Sequence, residues 1–309
     1  MISIVAPFYN EHESIRELHG LIVEVMRKLG KPFEIIFVDD GSTDGTFEEI
    51  KKCHPVRGFR LVLNSGQTAA FGCGIEQAKG DIIVTMDGDL ENRPEDIPRL
   101  LEKLNEGYDC VSGWREKRWH EQLFTRRIPS LLANRLISRV TGVRLHDHGC
   151  NLRAYRKEVF RGVDFNGEMH RMFAAYLGMR GARVAEIPVS YVSRKFGQSK
   201  YGPSRTFKVL LDVLALHFFK EYGTRPMHFF GYFGFVSIGL GFLVFLWALW
   251  LRVFEELHFN RTPLPIVVAM FIVVGFQFIL MGLLAEMFFR SRPTSVEKRT
   301  YDIRERVER

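Results

Sequence analysis

The chain has 309 residues, of which 46% are hydrophobic and 26% charged, and it carries a formal net charge of +7. This length and composition allow a full hydrophobic core, organised as one large domain or two smaller ones. The four cysteines, Cys53, Cys73, Cys110 and Cys150, are widely spaced without a Cys-x-x-Cys pair. That spacing indicates neither a disulfide framework nor a zinc site, and it fits reduced thiols in a cytosolic domain.

Short β-rich segments alternate with amphipathic helical segments through the first half of the chain. Residues 2–6 predict a strand rather than a secretory signal, since the apolar segment is short and lacks a basic leader. A helix follows over residues 18–29, with a predicted capping box that begins at Ser14. The remaining predicted elements are strands at 33–38, 59–63, 81–86, 109–113 and 183–192, and helices at 46–53, 68–78, 94–107 and 128–140. This alternation predicts an α/β domain with a mostly parallel sheet covered on both faces.

Polar clusters follow three of the predicted strands. They comprise residues 7–11 after the first strand, 39–45 after the second and 87–91 after the fourth. In parallel sheets ligands bind outside the carboxyl ends of the strands. Three clusters at three such ends therefore predict one shared site.

The cluster at Asp87 has acidic residues at alternate positions. Side chains two apart on an extended segment point the same way, so Asp87, Asp89 and Glu91 predict a divalent-cation site. Gly88 would let a ligand approach the backbone closely. Alone, the cluster is more simply an acidic turn, and the neighbouring clusters favour the metal site. A metal here suits a diphosphate, and the sequence contains neither a Walker loop nor Gly-x-Gly-x-x-Gly after the first strand.

Two apolar segments, residues 227–251 and 264–289, are each long enough as helices to cross a hydrocarbon core of about 30 Å. Trp247 and Trp250 near one end favour membrane spans over buried core helices. The connection between the spans carries two Arg and two Glu, whereas the flanking segments are clearly basic. The positive-inside tendency then predicts that the large N-terminal part and the tail face the cytoplasm. A basic collar at the membrane accounts for the charge without a nucleic-acid partner.

The predicted division of the chain follows from these spans. Residues 205–226 have an apolar stripe that predicts a helix in the membrane interface, with an ordinary packing helix as the alternative. The predicted parts are a large cytoplasmic domain over 1–204, an interfacial amphipathic helix and linker over 205–226, two transmembrane helices within 227–289, and a basic cytoplasmic tail over 290–309.

Five motifs resemble those of family 2 glycosyltransferases, and within that family the polyprenyl-phosphate group of dolichol-phosphate mannose synthase and the bacterial undecaprenyl-phosphate sugar transferases. The motifs lie at residues 6–11, 38–46, 80–90, 113–115 and 196–201. Their order, together with the terminal pair of spans, extends the resemblance over nearly the whole chain. It implies a GT-A fold, a Rossmann-like α/β domain that binds a nucleotide sugar.

The resemblance implies that the first two clusters bind the donor nucleotide and the third binds the metal. The residues expected to hold the base and ribose of a UDP- or GDP-linked sugar are Pro7, Tyr9, Glu11, Val38, Asp39 and Asp40. Asp87, Asp89 and Glu91 are expected to bind Mg²⁺ or Mn²⁺ with the donor diphosphate, with Gly88 in the same donor site. Asp89 ranks first among these ligands, Asp87 next and Glu91 last.

Arg115, Arg194 and Lys200 match positions that contact the donor in the family. Cationic side chains beside two phosphates are physically reasonable. Gly197 and Gly202 surround Lys200, which predicts a loop that closes over the donor and excludes water. Phe8 stands where the family usually has Thr, a change expected to affect packing more than chemistry.

Acceptor residues are also implied. Ser130 with either Arg126 or Arg127 resembles the pair that receives the lipid phosphate, and the adjacent arginines leave that choice open. Asp147 precedes a segment that resembles a family motif, and it would orient the acceptor or the sugar hydroxyls. No general base is required, because a phosphate monoester is already ionised at neutral pH. The expected catalytic set is Asp89, Arg115, Asp147, Arg194 and Lys200.

Two further patterns have simpler explanations. Residues 115–119 resemble the Gln-x-x-Arg-Trp motif of processive polysaccharide synthases, but Arg stands at the Gln position and a surface loop is the better interpretation. His146, His148 and His170 match no standard zinc spacing and are interpreted as ordinary polar histidines.

The sequence thus predicts a metal-dependent, inverting glycosyltransferase that transfers a sugar from a nucleotide sugar to a polyprenyl phosphate. The reaction is expected at the cytoplasmic face of a membrane, the inner membrane in a bacterium. Two alternatives stay open at this point: a non-catalytic, membrane-anchored nucleotide-sugar binder, and a transferase with a non-lipid acceptor. Relatives suggest a homo-oligomer packed through the spans.

Overall fold

The computed structural model describes most of the chain in two units. The described residues are 1–116, 128–165, 167, 169–192, 218, 221–223, 225–255, 257–291 and 301–308. One compact unit contains the described residues up to 192 together with 301–308, and the other contains those from 218 to 291.

The first unit is built on one sheet. Its strands in the described part of the chain are β1 (Ile2–Phe8), β2 (Phe33–Asp39), β3 (Arg57–Leu61), β4 (Ile82–Thr85), β5 (Cys110–Trp114), β6 (Arg153–Arg156), β7 (Val184–Pro188) and β8 (Ile303–Glu308). They are ordered β7-β5-β6-β4-β1-β2-β3-β8. The neighbours β4, β1, β2 and β3 are mutually parallel, and β6 and β8 run antiparallel to their neighbours. The predicted mostly parallel α/β sheet is confirmed.

Helices cover both faces of this sheet. They are α1 (Ile15–Leu29), α2 (Thr46–Lys51), α3 (Gln67–Gln77), α4 (Ile97–Asn105), α5 (Ile128–Thr141) and α6 (Phe173–Met179). Ile4 on β1 belongs to the core cluster that includes residues of α1 and α4, whereas Val5 belongs to the cluster that includes residues of α3 and α6. Successive strand residues point to opposite faces, so every inner strand must be apolar on both sides.

The capping box predicted at Ser14 is wrong. Ser14 already has helical dihedral angles, and its hydroxyl donates to the Glu11 carbonyl at 3.0 Å instead of accepting a helix N–H. The Ser14 main-chain carbonyl accepts the N–H of Leu18 at 2.9 Å. The hydroxyl is therefore used in the turn before the helix, which is a common alternative for serine near helix starts.

Strand β8 is an element that the sequence analysis did not predict. It pairs antiparallel with β3, and the Tyr301 hydroxyl just before it donates to Glu76 at 2.5 Å. Lys51 and Arg57 form ion pairs with Glu305 and Glu308. Because most β8 residues are charged, the strand has little apolar signal, and its position depends on the open edge of β3. This C-terminal segment is part of the same unit as the N-terminal residues.

The second unit contains two long helices, α7 (Pro226–Phe254) and α8 (Leu264–Arg290). They approach closely where glycines face each other, since a Cβ on Gly234 would lie 2.9 Å from the Gly275 carbonyl oxygen. Small residues at such a contact allow two membrane helices to pack closely. Large apolar side chains such as Trp247 and Ile266 are exposed, at 56% and 75%. By length and composition both helices can cross a membrane, and they coincide with the predicted spans.

Candidate active site

The loops after β1 and β2 are joined by hydrogen bonds. Asn10 and Ser42 interact through the Asn10 N–H and the Ser42 hydroxyl at 2.9 Å, and the Asn10 side-chain oxygen accepts the Thr43 N–H at 3.0 Å. The Glu11 N–H donates to the Thr46 hydroxyl at 3.1 Å. The first two predicted clusters therefore form one surface at the carboxyl edge of the sheet.

The loop after β4 lies against the end of β1. A Cβ on Gly88 would be 2.6 Å from the Phe8 ring and 3.0 Å from the Pro7 carbonyl oxygen. The small residue at Gly88 is thus required by contact within the protein, whether or not a ligand also approaches it. Phe8 is buried and packs edge-on against Phe37 at 4.9 Å between ring centroids, so its role in packing is confirmed.

Asp40 forms hydrogen bonds with the end of β1 and with the loop after β3. Its N–H donates to the Phe8 carbonyl at 2.8 Å, and its carboxylate oxygens accept the N–H groups of Ser65 at 2.7 Å and Gly66 at 3.0 Å. Burial raises the pKa of Asp40 to about 6, despite the two N–H donors. Gly41 follows in a left-handed conformation that brings it against the Leu63 backbone. The loop after β3 thereby joins the same edge.

Asp39 presents a buried acceptor at this edge. Its side chain is fully buried, and Oδ1 accepts the Ser42 N–H at 2.9 Å. Oδ2 lies 3.3 Å from Arg60 Nε in an ion pair but has no hydrogen-bond donor within the described residues. Burial raises the pKa of Asp39. An acceptor buried without a donor is costly, and a ligand hydroxyl or N–H would satisfy it.

The other residues predicted to contact the nucleotide divide into two groups. Tyr9 and Glu11 are half-buried in the loop after β1. Pro7 and Val38 are register partners in β1 and β2, and both are buried. The Val38 side chain belongs to the hydrophobic core rather than to the edge.

The segment from Gly88 to Glu91 is a turn, and the extended geometry expected for it is wrong. Leu90 adopts a positive φ of 62° and buries its side chain in the core, which reverses the chain after Asp89. The Asp89 carboxylate accepts the Glu91 N–H at 3.0 Å. Within the described residues no three His, Cys, Asp or Glu side chains form a group that could hold a metal. The metal assignment for Asp87, Asp89 and Glu91 stays a prediction.

Asp87 is held by two side-chain amides that the sequence analysis did not assign to the site. Gln67 Nε2 donates to Asp87 Oδ1 at 2.7 Å, and Asn151 Nδ2 donates to the same oxygen at 2.8 Å. Gln67 is the first residue of α3, and Asn151 lies in the loop before β6. Both residues lie close to strand ends in the sequence, and this position is a weak indication that they belong to the site.

Arg115 and Asp147, both assigned to the catalytic set, form an ion pair. Arg115 Nε donates to Asp147 Oδ2 at 2.7 Å and Arg115 Nη2 donates to Oδ1 at 3.1 Å. Burial alone would lower the pKa of Arg115, but the Asp147 carboxylate more than offsets it and the pKa rises. Asp147 also accepts the Gly149 N–H at 2.9 Å. The arginine charge is thus already matched by a carboxylate before any ligand binds.

The loop that carries Asp147 is anchored to β7 and β5. Glu186 on β7 accepts the N–H of His146 at 2.9 Å and that of Asp147 at 2.9 Å. The His146 ring stacks on Trp114 at 4.4 Å and bonds Glu186 through Nδ1 at 2.8 Å. These contacts orient Asp147 at the end of β5.

The other two histidines have polar partners as well. His148 is buried beside Ser138 at 2.9 Å, and burial together with the charge of Arg153 lowers its pKa to about 4. His170 Nδ1 lies 2.8 Å from the Thr68 hydroxyl. Each of the three histidines therefore has a polar partner in the described structure.

Several predicted site residues lie outside the part of the chain that the structure describes. These are Arg126, Arg127, Arg194 and Lys200, together with most of residues 205–226 and the loop segment 117–127. Ser130 lies in α5, and its side chain is also outside the description. Their assigned roles stay predictions.

The fold is similar to that of solved structures. Glucosyl-3-phosphoglycerate synthase from Mycobacterium tuberculosis, solved with Mn²⁺, UDP and glucosyl-3-phosphoglycerate, is similar with a TM-score of 0.54 at 19% identity, covering 71% of this chain and 79% of that chain. Another structure of that synthase gives a TM-score of 0.55 at 20% identity, covering 71% and 80%. The fold is therefore GT-A.

Sequence similarity identifies the family. Residues 3–163 match the family described as Glycosyl transferase family 2, and the chain belongs to this family. A dodecaprenyl-phosphate galacturonate synthase from Rhizobium johnstonii is 41% identical over 94% of this chain and 88% of its own. An undecaprenyl-phosphate 4-deoxy-4-formamido-L-arabinose transferase from Klebsiella pneumoniae is 36% identical, with the same coverages of 94% and 88%. The resemblance inferred from the five motifs is confirmed, and the chain is an enzyme of the glycosyltransferase class.

Proposed function

We propose that this glycosyltransferase moves a sugar from a UDP- or GDP-linked donor to a polyprenyl phosphate at the cytoplasmic face of a membrane. The relatives named for dodecaprenyl-phosphate and undecaprenyl-phosphate products support the acceptor class, because they match along almost the whole chain. The two apolar helices support a lipid acceptor, since they would keep the enzyme where such a lipid resides.

The donor assignment is supported most directly by the buried carboxylate of Asp39. Its Oδ2 has no hydrogen-bond donor among the described residues, and it lies at the edge where the loops after β1, β2 and β3 are joined. A nucleoside offers hydroxyl and N–H donors of the kind this oxygen needs. Asp40, fixed by two N–H groups, would keep the loops in place around that nucleoside.

The residues at the end of β4 fit a divalent cation by the chemistry of their donor groups. Asp87 and Asp89 offer carboxylate oxygens, which are the ligands that Mg²⁺ and Mn²⁺ prefer. When bound there, the cation would offset negative charge on the departing diphosphate. Glu91 follows them in the turn and ranks last among the proposed ligands.

Arg115 would contact the donor, and the Asp147 carboxylate paired with it would orient the acceptor or the sugar hydroxyls. The ion pair and the Glu186 contacts hold Asp147 in one orientation, which suits a group that positions a sugar hydroxyl or the acceptor. Since the acceptor phosphate is ionised, its oxygen would attack the anomeric carbon in line without a base and invert the configuration.

The position of β8 supports the placement of the N-terminal part of the chain and the C-terminal segment on the same side of the membrane. Strands β3 and β8 pair in one sheet, although α7 and α8 lie between them in the chain. Two crossings return the chain to the side from which it left. The basic segments that flank the spans would then both face the cytoplasm.

The function is tested by supplying radiolabelled UDP- and GDP-sugars with undecaprenyl phosphate to the purified full-length protein and measuring label in the lipid phase. Asp89→Ala should reduce transfer by roughly a hundredfold, because charge stabilisation at the diphosphate is lost. The exposed Asp164→Ala is the matched control and should transfer sugar normally.

Each contrary result has a distinct meaning. Equal transfer by wild type and Asp89→Ala would contradict the proposed site. Donor turnover without lipid labelling would indicate a different acceptor. Donor binding without turnover would favour a nucleotide-sugar binder.

A further inference from the structure

Two amide side chains converge on a single oxygen of Asp87. Gln67 Nε2 and Asn151 Nδ2 lie 2.7 Å and 2.8 Å from Oδ1, both within normal hydrogen-bond distance. The two amides come from distant parts of the chain, since Gln67 lies 20 residues before Asp87 and Asn151 lies 64 residues after it. Such an arrangement restrains rotation of the carboxylate about its Cβ–Cγ bond.

The segment that carries each amide is held in place by main-chain contacts. The main-chain carbonyl of Asn151 accepts a hydrogen bond from the Thr85 hydroxyl at 2.8 Å. This bond attaches the loop to β4 two residues before Asp87. Gln67 follows Gly66, whose N–H donates to Asp40. The start of α3 therefore contacts both the Asp40 carboxylate after β2 and the Asp87 carboxylate after β4.

A buried arginine connects the two segments that supply the amides. Arg153 is 1% exposed, and its guanidinium donates to the carbonyls of His148 at 2.6 Å and His170 at 2.8 Å. His148 lies in the loop of Asn151, and His170 contacts Thr68 beside Gln67. The buried Arg153 guanidinium therefore connects the two segments that contact Asp87.

We propose that Gln67 and Asn151 are positioning residues that fix the Asp87 carboxylate for divalent-cation and donor binding. The inference rests on the proposed role of Asp87 in that site. A restrained carboxylate loses less rotational freedom when a ligand binds, so the amides strengthen ligand binding without touching the reacting atoms. Their effect should be on the concentration of cation and donor required rather than on the rate at saturation.

The test compares Gln67→Met with Gln77→Met in the full-length protein. Methionine has a similar length but cannot donate a hydrogen bond, and Gln77 lies at the other end of the same helix without a side-chain bond in the described structure. Gln67 is half-buried, so its replacement should leave the fold intact, as thermal unfolding would verify. Asn151→Ala provides a second variant on the opposite side of Asp87.

Binding of Mn²⁺ is measured by electron paramagnetic resonance in the presence of UDP or of GDP, and sugar transfer is measured in parallel. Gln67→Met should weaken Mn²⁺ binding roughly fivefold, the loss expected for one hydrogen bond, and raise the apparent KM for the donor similarly. The kcat at saturation should change by less than about twofold. Gln77→Met should match wild type in all three quantities.

The outcomes separate this inference from the function on which it rests. If Asp87→Asn loses Mn²⁺ binding while Gln67→Met and Asn151→Ala keep wild-type affinity, the positioning role is overturned and the proposed site remains. An equal loss of kcat in every Gln67 and Asn151 variant with unchanged Mn²⁺ affinity would also overturn it. If wild type binds no Mn²⁺ with either nucleotide, the proposed metal site fails, and the positioning role fails with it.

Discussion

At the scale of single residues, the buried carboxylates at the end of β2 link the stability of the fold to pH. Asp40 keeps its proton in the folded state to about pH 6, whereas an exposed aspartate loses it near pH 3.8. Well below pH 3.8 the group is protonated in both states. As pH rises from 4 to 6, the unfolded chain loses the proton first, so the contribution of Asp40 to stability falls.

Asp40→Asn should therefore remove a pH-dependent destabilisation on the order of 3 kcal/mol between pH 4 and pH 6. The free energy of unfolding of the detergent-solubilised protein would be measured for both forms across this range. The unfolding free energy of wild type minus that of the variant should fall as pH rises and level off above pH 6. Asp164→Asn, an exposed change, should run parallel to wild type, and parallel behaviour of Asp40→Asn would contradict the prediction.

The Arg115–Asp147 pair makes a second prediction at this scale. Arg115→Met would leave the Asp147 carboxylate, whose side chain is only 14% exposed, without its bidentate partner. Breaking a buried pair in this way costs about 3–5 kcal/mol. The double variant with Asp147→Leu should recover part of that loss, which a double-mutant cycle of unfolding free energies would measure. Strictly additive single losses would show that the pair is not coupled.

At the scale of elements, the edge of β3 depends on a strand from the far end of the chain. Strand β8 covers that edge, with Val307 packed against the core and the Arg306 side chain exposed. An unpaired edge strand promotes aggregation, and a charged outer strand reduces that risk. The charges of β8 therefore suit its position as the last strand of the sheet.

Val307→Asp should lower the melting temperature of the first unit by several degrees, because it places a charge against the core cluster. Arg306→Asp introduces the same side chain on the solvent-facing side and should change stability little. Thermal unfolding followed by circular dichroism compares the two. Equal melting temperatures would mean that β8 does not pack in solution as the structure has it.

At the scale of the whole molecule, the chain leaves the sheet after β7, forms two long apolar helices and returns as β8. The four cysteines all lie in the described part of the chain, are buried and form no disulfide there, which makes the protein suited to labelling at introduced cysteines. The positions Asn260, between the apolar helices, and Asp302, just before β8, are both exposed.

Asn260→Cys should react with a membrane-impermeant maleimide in intact cells, whereas Asp302→Cys should react only after the cells are permeabilised. The reason is that two crossings would place the connection between the helices on the outer side and both chain ends on the inner side. Wild type, with buried cysteines, is the background control. Labelling of both positions under the same condition would contradict two membrane crossings.

Much of this organisation could be predicted because it has a local signature. Apolar periodicity indicated β1, β2, β4 and the first helices, and continuous apolarity indicated the two long helices. Polar clusters directly after strands indicated the shared edge, since parallel strands end together. The capping prediction for α1 was wrong because the Ser14 hydroxyl can donate to the Glu11 carbonyl instead of accepting a helix N–H.

Sequence patterns alone predict the α/β class, the shared edge of the sheet, the pair of apolar helices and the glycosyltransferase family, because each has a signature in residue spacing or in a contiguous motif. The folded structure was needed to find that Gln67 and Asn151 meet at Asp87, that Arg115 pairs with Asp147, and that β8 covers the edge of β3. Leu90 shows why. Burial of the Leu90 side chain in the core imposes a turn that no local sequence pattern predicts. Such contacts join residues far apart in the chain, so they depend on how the strands are arranged in the sheet.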